Sequence, residues 1–69
     1  MPLNMVNEGE DFLIKKVSGK EETRRFLENL GFVAGAKVSL VSKNAGNVIV
    51  QIKDSRIAVS REMAQKILV

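Results

Sequence analysis

Val48, Val50 and Ile52 alternate with Ile49, Gln51 and Lys53, a period-two pattern that predicts a strand buried on one face. Ile57 and Val59, set against Ala58, predict the next strand. Asp54-Ser55 would join the two as a two-residue link, although it lacks the glycine such hairpins favour. Before them, Lys37 to Ser42 predicts another strand, with the turn formers of Lys43 to Asn47 as the intervening loop. Nearer the start, Phe12 and Ile14 keep period two within Asp11 to Val17, but Val17 is out of phase. One strand with a bulge near Lys15-Lys16 reconciles them. Glu8-Gly9-Glu10 reads as a turn, and Leu3 with Met5 or Val6 would anchor the segment before it. Ile67-Leu68-Val69 predicts a fifth strand lying against the first.

One stretch has the helical period instead. Phe26, Leu27 and Leu30 fall on one face of a helix predicted from about Lys20 to Leu30. Ser18 and Glu21 have the spacing of a capping box, and Glu21 and Glu22 occupy the first turn, where the helix dipole favours negative charge. Glu21 with Arg25, and Arg24 with Glu28, are i, i+4 pairs on the wet side. Gly31 then falls where a helix commonly ends in a left-handed residue. Leu27 and Phe32 take the two positions whose apolar contact accompanies a Schellman stop. Val33-Ala34-Gly35-Ala36 suits a type II turn, because Gly35 supplies the positive φ that its third position needs. Ser60 can cap a short helix reaching about Lys66.

The resulting expectation is a mainly β fold. It is a small, partly open barrel of about five strands with an inserted helix and a short C-terminal helix, one domain over residues 1–69. An open α+β sheet is the alternative. Closing the sheet removes its edges, which matters in a chain this short. A chain of 69 residues buries only about 60% of its unfolded surface, and with no cysteine no disulfide supports the core. Tight packing or weak self-association has to supply the difference. The apolar runs are only a few residues long and no signal-peptide pattern is present, so a cytoplasmic chain is expected.

Charge changes little. The 11 basic and 8 acidic residues leave a net charge of +3, with basic pairs only at Lys15-Lys16 and Arg24-Arg25. The sole aromatics, Phe12, Phe26 and Phe32, sit among aliphatics rather than in a basic stacking surface, so no nucleic-acid partner is expected. Without histidine or cysteine, the serines lack a partner for base activation, and no enzyme is expected. The glycines follow the helix, whereas a phosphate loop precedes one. With neither Trp nor Tyr there is no aromatic groove for proline-rich ligands. Glu8, Glu10 and Asp11 could in principle hold a hard cation, but read more simply as a solvated acidic turn. No catalytic residue, metal ligand or cofactor is assigned. A binding module remains. Its candidate contact residues are Arg24, Arg25 and Glu28, on the outer side of the inserted helix.

The run Arg25-Phe26-Leu27-Glu28-Asn29-Leu30-Gly31-Phe32, followed by Gly35 and Val38, resembles the signature of the FeoA family of bacterial ferrous iron transport. Leu27, Leu30, Gly31, Phe32 and Gly35 carry its specific part. Gly9-Glu10 and Ile14 fit the family's first strand, and Arg56-Ile57-Ala58-Val59, Ala64, Ile67 and Val69 fit its C-terminal portion. The resemblance implies an SH3-like barrel with an inserted helix. It also implies a partner, the cytoplasmic GTPase domain of the FeoB-type membrane transporter, and a pathway that handles a transition metal ion. A second reading is a free-standing regulatory module, because the same domain type ends metal-dependent repressors of the diphtheria-toxin-repressor class. Ala34 stands where the family often has proline, Asp54-Ser55 where it often has glycine, and the Lys43 to Asn47 loop is short. Since borderline metals favour imidazole and thiolate ligands, no tight Fe²⁺ site is expected in this chain.

Overall fold

The computed structural model describes residues 1–69. After a 3-10 turn at Leu3–Met5 come β1 (Asp11–Leu13), β2 (Lys16–Val17), α1 (Glu21–Asn29), β3 (Lys37–Asn44), β4 (Asn47–Ile52), β5 (Ser55–Ser60), α2 (Arg61–Ala64) and β6 (Ile67–Leu68). One antiparallel sheet has the order β1-β3-β4-β5, and a two-stranded sheet pairs β2 with β6. The architecture is the expected small, partly open barrel, with α1 inserted between the strand pair at its start and the long meander.

The single strand expected over Asp11 to Val17 is two strands, in different sheets. The reason is a hand-over of hydrogen bonds at neighbouring residues. The Ile14 N–H donates to the Ala36 carbonyl at 2.9 Å, whereas the Lys15 N–H donates to the Leu68 carbonyl at 2.7 Å. No bulge forms at Lys15-Lys16; the phase change at Val17 is this change of partner. The tail pairs as expected, with Lys16 opposite Leu68 and Val17 opposite Ile67. The bulge that does occur lies in β3, between Leu40 and Ser42. It ends the strict alternation that buries Val38 and Leu40.

Two loops are tighter than the residue types implied. Lys43, Asn44 and Asn47 are strand residues, with Asn44 opposite Asn47, so only Ala45-Gly46 turns. The next hairpin is displaced by one residue. Ile52 pairs with Ser55, and the link is Lys53-Asp54 rather than Asp54-Ser55. Lys53 takes the left-handed conformation there, with φ of 51°.

Helix α1 stops as its sequence requires. Gly31 has φ of 108°. The Phe32 N–H donates to the Leu27 carbonyl and the Gly31 N–H to the Glu28 carbonyl, each at 3.0 Å, the paired bonds of a Schellman stop. The turn after it closes with the Ala36 N–H on the Val33 carbonyl at 3.0 Å, and the Gly35 N–H is tied to the Ile14 carbonyl at 2.8 Å. Helix α1 begins differently from expectation. Its cap is Lys20, with no side-chain cap bond; Ser18 lies two residues before it, and its hydroxyl donates to the Lys66 carbonyl at 3.3 Å. The capping box is therefore not formed. Ser60 does cap α2, its hydroxyl accepting from the Met63 N–H at 3.1 Å, but that helix ends at Ala64 rather than near Lys66.

The core is wholly apolar. Val38, Leu40, Val48, Val50, Ile52 and Val59 come from the four-stranded sheet, Leu27 and Phe32 from α1 and its stop, Ala64 from α2, and Ile14, Ile67 and Val69 from the β2–β6 pair and the residues next to it. Leu3 and Val6 anchor the first segment, while Met5 stays exposed.

Candidate partner-binding surface

Helix α1 lies beside β2 and buries a narrow stripe. Leu27 is fully enclosed, Thr23 and Leu30 are half-buried, and every other residue of the helix is exposed. At 3.6 residues per turn, successive side chains are about 100° apart. Glu21, Glu28, Arg25 and Glu22 therefore fan across the face opposite Leu27. Arg24 and Phe26 flank the stripe on opposite sides.

The three contact candidates, Arg24, Arg25 and Glu28, all lie on exposed surface. They are not equivalent. The Arg25 guanidinium is paired with the Glu21 carboxylate at 2.6 Å. Arg24 and Glu28, expected as an i, i+4 pair, make no ion pair, so both charges are free for another molecule. The ion pair that does form is exposed on both sides, at 73% and 63%, and contributes only about 0.2–0.5 kcal/mol.

Phe26 corrects the expected helix face. It is not turned inward with Leu27 and Leu30; it is 48% exposed. Phe26 is one step of about 100° from Leu27, whereas Leu30 is three residues on and much nearer in angle. Leu30, about 60° from Leu27, is half-buried, and Phe26, about 40° further round on the same side, falls at the margin of the stripe. An exposed aromatic beside Arg25 is the composition that marks interface cores rather than ordinary surface. Leu27, Gly31, Phe32 and Gly35 act beneath this surface: they fix the exit of α1 and so the direction in which its outer face points.

No three carboxylates converge into a metal-binding group. Of the acidic turn, Asp11 faces Lys37 with its oxygen 3.9 Å from the ammonium nitrogen. No helix is long and apolar enough to cross a membrane.

A four-stranded sheet and a two-stranded sheet, closed around one apolar core and interrupted by a helix, define a small SH3-like barrel. Known proteins agree with that class. The FeoA domain family matches residues 1–69. A Methanocaldococcus jannaschii protein named as an Fe(2+) transport protein A is 34% identical over 68 residues, which is 99% of this chain and 83% of that protein. The zinc complex of Stenotrophomonas maltophilia FeoA, described as a prokaryotic SH3 domain protein, superposes with a TM-score of 0.87. It is 25% identical, with 100% of this chain and 88% of that one covered. A manganese-dependent transcriptional repressor also superposes at 0.87. It is 17% identical, covering 97% of this chain but 39% of the repressor, a likeness of fold. The chain belongs to the FeoA family, which is linked to ferrous iron transport.

Proposed function

We propose that this protein is a non-catalytic accessory component of ferrous iron transport. It binds the cytoplasmic GTPase domain of a FeoB-type membrane transporter by direct protein–protein contact. The observation that carries the reading is family membership across all 69 residues. The inventory agrees: with no histidine and no cysteine, contact is the means of action left to the chain. The contact surface is the exposed part of α1: Arg24 and Glu28, unpaired, lie on one side, Arg25 is held by Glu21 on the outer face, and Phe26 is exposed on the other side. Arginine suits this role because its planar fork pairs with carboxylates in two parallel bonds. Such a surface works at the cytoplasmic face of the membrane without the chain entering it.

A pull-down with the transporter's cytoplasmic domain tests this. Reversing both charges (Arg24→Glu with Arg25→Glu) should abolish capture while leaving the melting curve nearly unchanged, since both side chains are solvated. Capture that persists in the folded double variant would move the contact off α1. The repressor likeness supports a second reading, a free-standing regulatory module. That reading predicts a steep salt dependence if its partner is a nucleic acid, against a shallow one for a protein of mixed charge.

A further inference from the structure

The outer face of the four-stranded sheet carries an arrangement that the α1 surface does not use. Asp11 pairs with Ser39, Ser39 with Gln51, and Gln51 with Arg56, one row running across all four strands. Residues directly opposite one another share a face. Because the neighbouring Val38, Val50 and Ile52 point into the core, this row points out. Asp11, Ser39 and Gln51 of this row line, with Lys37 and Lys53, a shallow groove of about 180 Å³, and Arg56 stands at its edge, bonded to Gln51. No residue of α1 lines it.

The groove is organised to donate hydrogen bonds. Gln51 is used on both sides. Its amide nitrogen donates to the Lys53 carbonyl at 3.0 Å, and its oxygen accepts from Arg56 Nε at 3.1 Å. This holds the guanidinium beside the row with its two terminal nitrogens free. The Ser39 hydroxyl has no partner within the chain and is half-buried on the floor. Lys37 and Lys53 supply ammonium groups at one end. Lys53 does so from the left-handed position of the β4–β5 hairpin. One acceptor opposes them, Asp11. Leu13, opposite Lys37 in the register and 63% exposed, adds an apolar contact at the same end.

We propose that this face receives an acidic, extended segment of a partner protein, with a carboxylate seated between Lys37 and Lys53 and an apolar side chain resting on Leu13. Charge complementarity selects an acidic occupant. Leu13 selects a peptide over a free anion, and the lack of any aromatic on this face argues against stacked bases. The proposal stands apart from the transporter reading and from the α1 surface.

Backbone amide NMR titration with an acetylated, amidated Glu-Leu-Glu-Glu-Leu-Glu peptide at low salt tests it. Saturable shifts should concentrate at Leu13, Lys37, Ser39, Gln51, Lys53 and Arg56. Replacing Lys37 and Lys53 by glutamate should weaken binding by about tenfold or more, while the same charge change at Lys15 and Lys16 should alter it by less than about twofold. Each double variant is checked by its amide dispersion; Arg56→Gln, a milder change, serves if the first fails to fold and should weaken binding by about threefold. Asp11→Asn has the opposite sign: it removes the one repulsive charge and should tighten binding. Equal losses in the two double variants would reduce the effect to net charge and overturn the proposal. So would absence of saturation at millimolar peptide, weaker binding on Asp11→Asn, or matching shifts from inorganic phosphate at the same concentration.

Discussion

Gly31 and Lys53 meet the same backbone demand in different ways. Both have positive φ, 108° and 51°. At Gly31 the reversal ends α1 and drops Phe32 into the core. A β-carbon there would find ordinary room, its nearest neighbour being Ile52 Cδ1 at 3.7 Å, so glycine is required for its dihedral and not for close approach. At Lys53 the hairpin between β4 and β5 makes its left-handed step with a residue that has a β-carbon, at a cost of about 1 kcal/mol. The Gln51 amide bond to the Lys53 carbonyl offsets part of it. The difference separates two uses of one conformation. Where only the path of the chain matters, the cheapest residue stands. On the groove proposal, a side chain is kept at Lys53 because its ammonium is used.

The largest effect tests what the Gly31 stop is for. Phe32 is fully buried, and Phe32→Ala should cost about 3–5 kcal/mol in a denaturant melt. A loss below about 1 kcal/mol would mean that the stop does not anchor the core. Next, Gly31→Ala should destabilise by about 1–2 kcal/mol, read from the shift in denaturant midpoint. An unchanged midpoint would remove the dihedral argument. The two cap serines sharpen the comparison further: Ser60→Ala should cost about 1 kcal/mol, whereas Ser18→Ala should cost no more than about 0.5 kcal/mol, since its bond is long and exposed. Equal losses would restore the capping box to α1. Smallest, and opposite in sign, Lys53→Gly should stabilise by about 0.5 kcal/mol, relief of the left-handed β-carbon less the added freedom of the unfolded chain. It should also weaken binding of the acidic peptide. A destabilised variant would show that Lys53 is not strained.

Features that close over a few residues were legible in the sequence. The Schellman stop involves only Leu27 to Phe32, and the Gly35 turn only Val33 to Ala36, so residue types were enough to specify both. The alternation of Val48, Val50 and Ile52 was equally local. Distant partners defeated the same reasoning. Ser18 has the cap spacing but bonds Lys66, while Ser60, with no such competitor, caps as its type predicts. The strand from Asp11 to Val17 breaks because Ile14 and Lys15 answer to residues 36 and 68. The exposure of Arg24, Arg25 and Glu28 followed from helical period, whereas Phe26 sits at the margin of the apolar face, where period alone does not decide burial. The groove was not legible at all, since Asp11, Ser39, Gln51 and Arg56 share a row only through strand register.

On the proposed function, the protein acts by contact and not by carrying metal. Isothermal titration of the chain against the transporter's cytoplasmic GTPase domain, with and without a chelator selective for ferrous iron, tests it most directly. Saturable binding of equal affinity is expected in both conditions, together with no tight site when Fe²⁺ alone is titrated anaerobically into the chain. Binding that disappears with the chelator, or a stoichiometric Fe²⁺ site on the isolated chain, would contradict it.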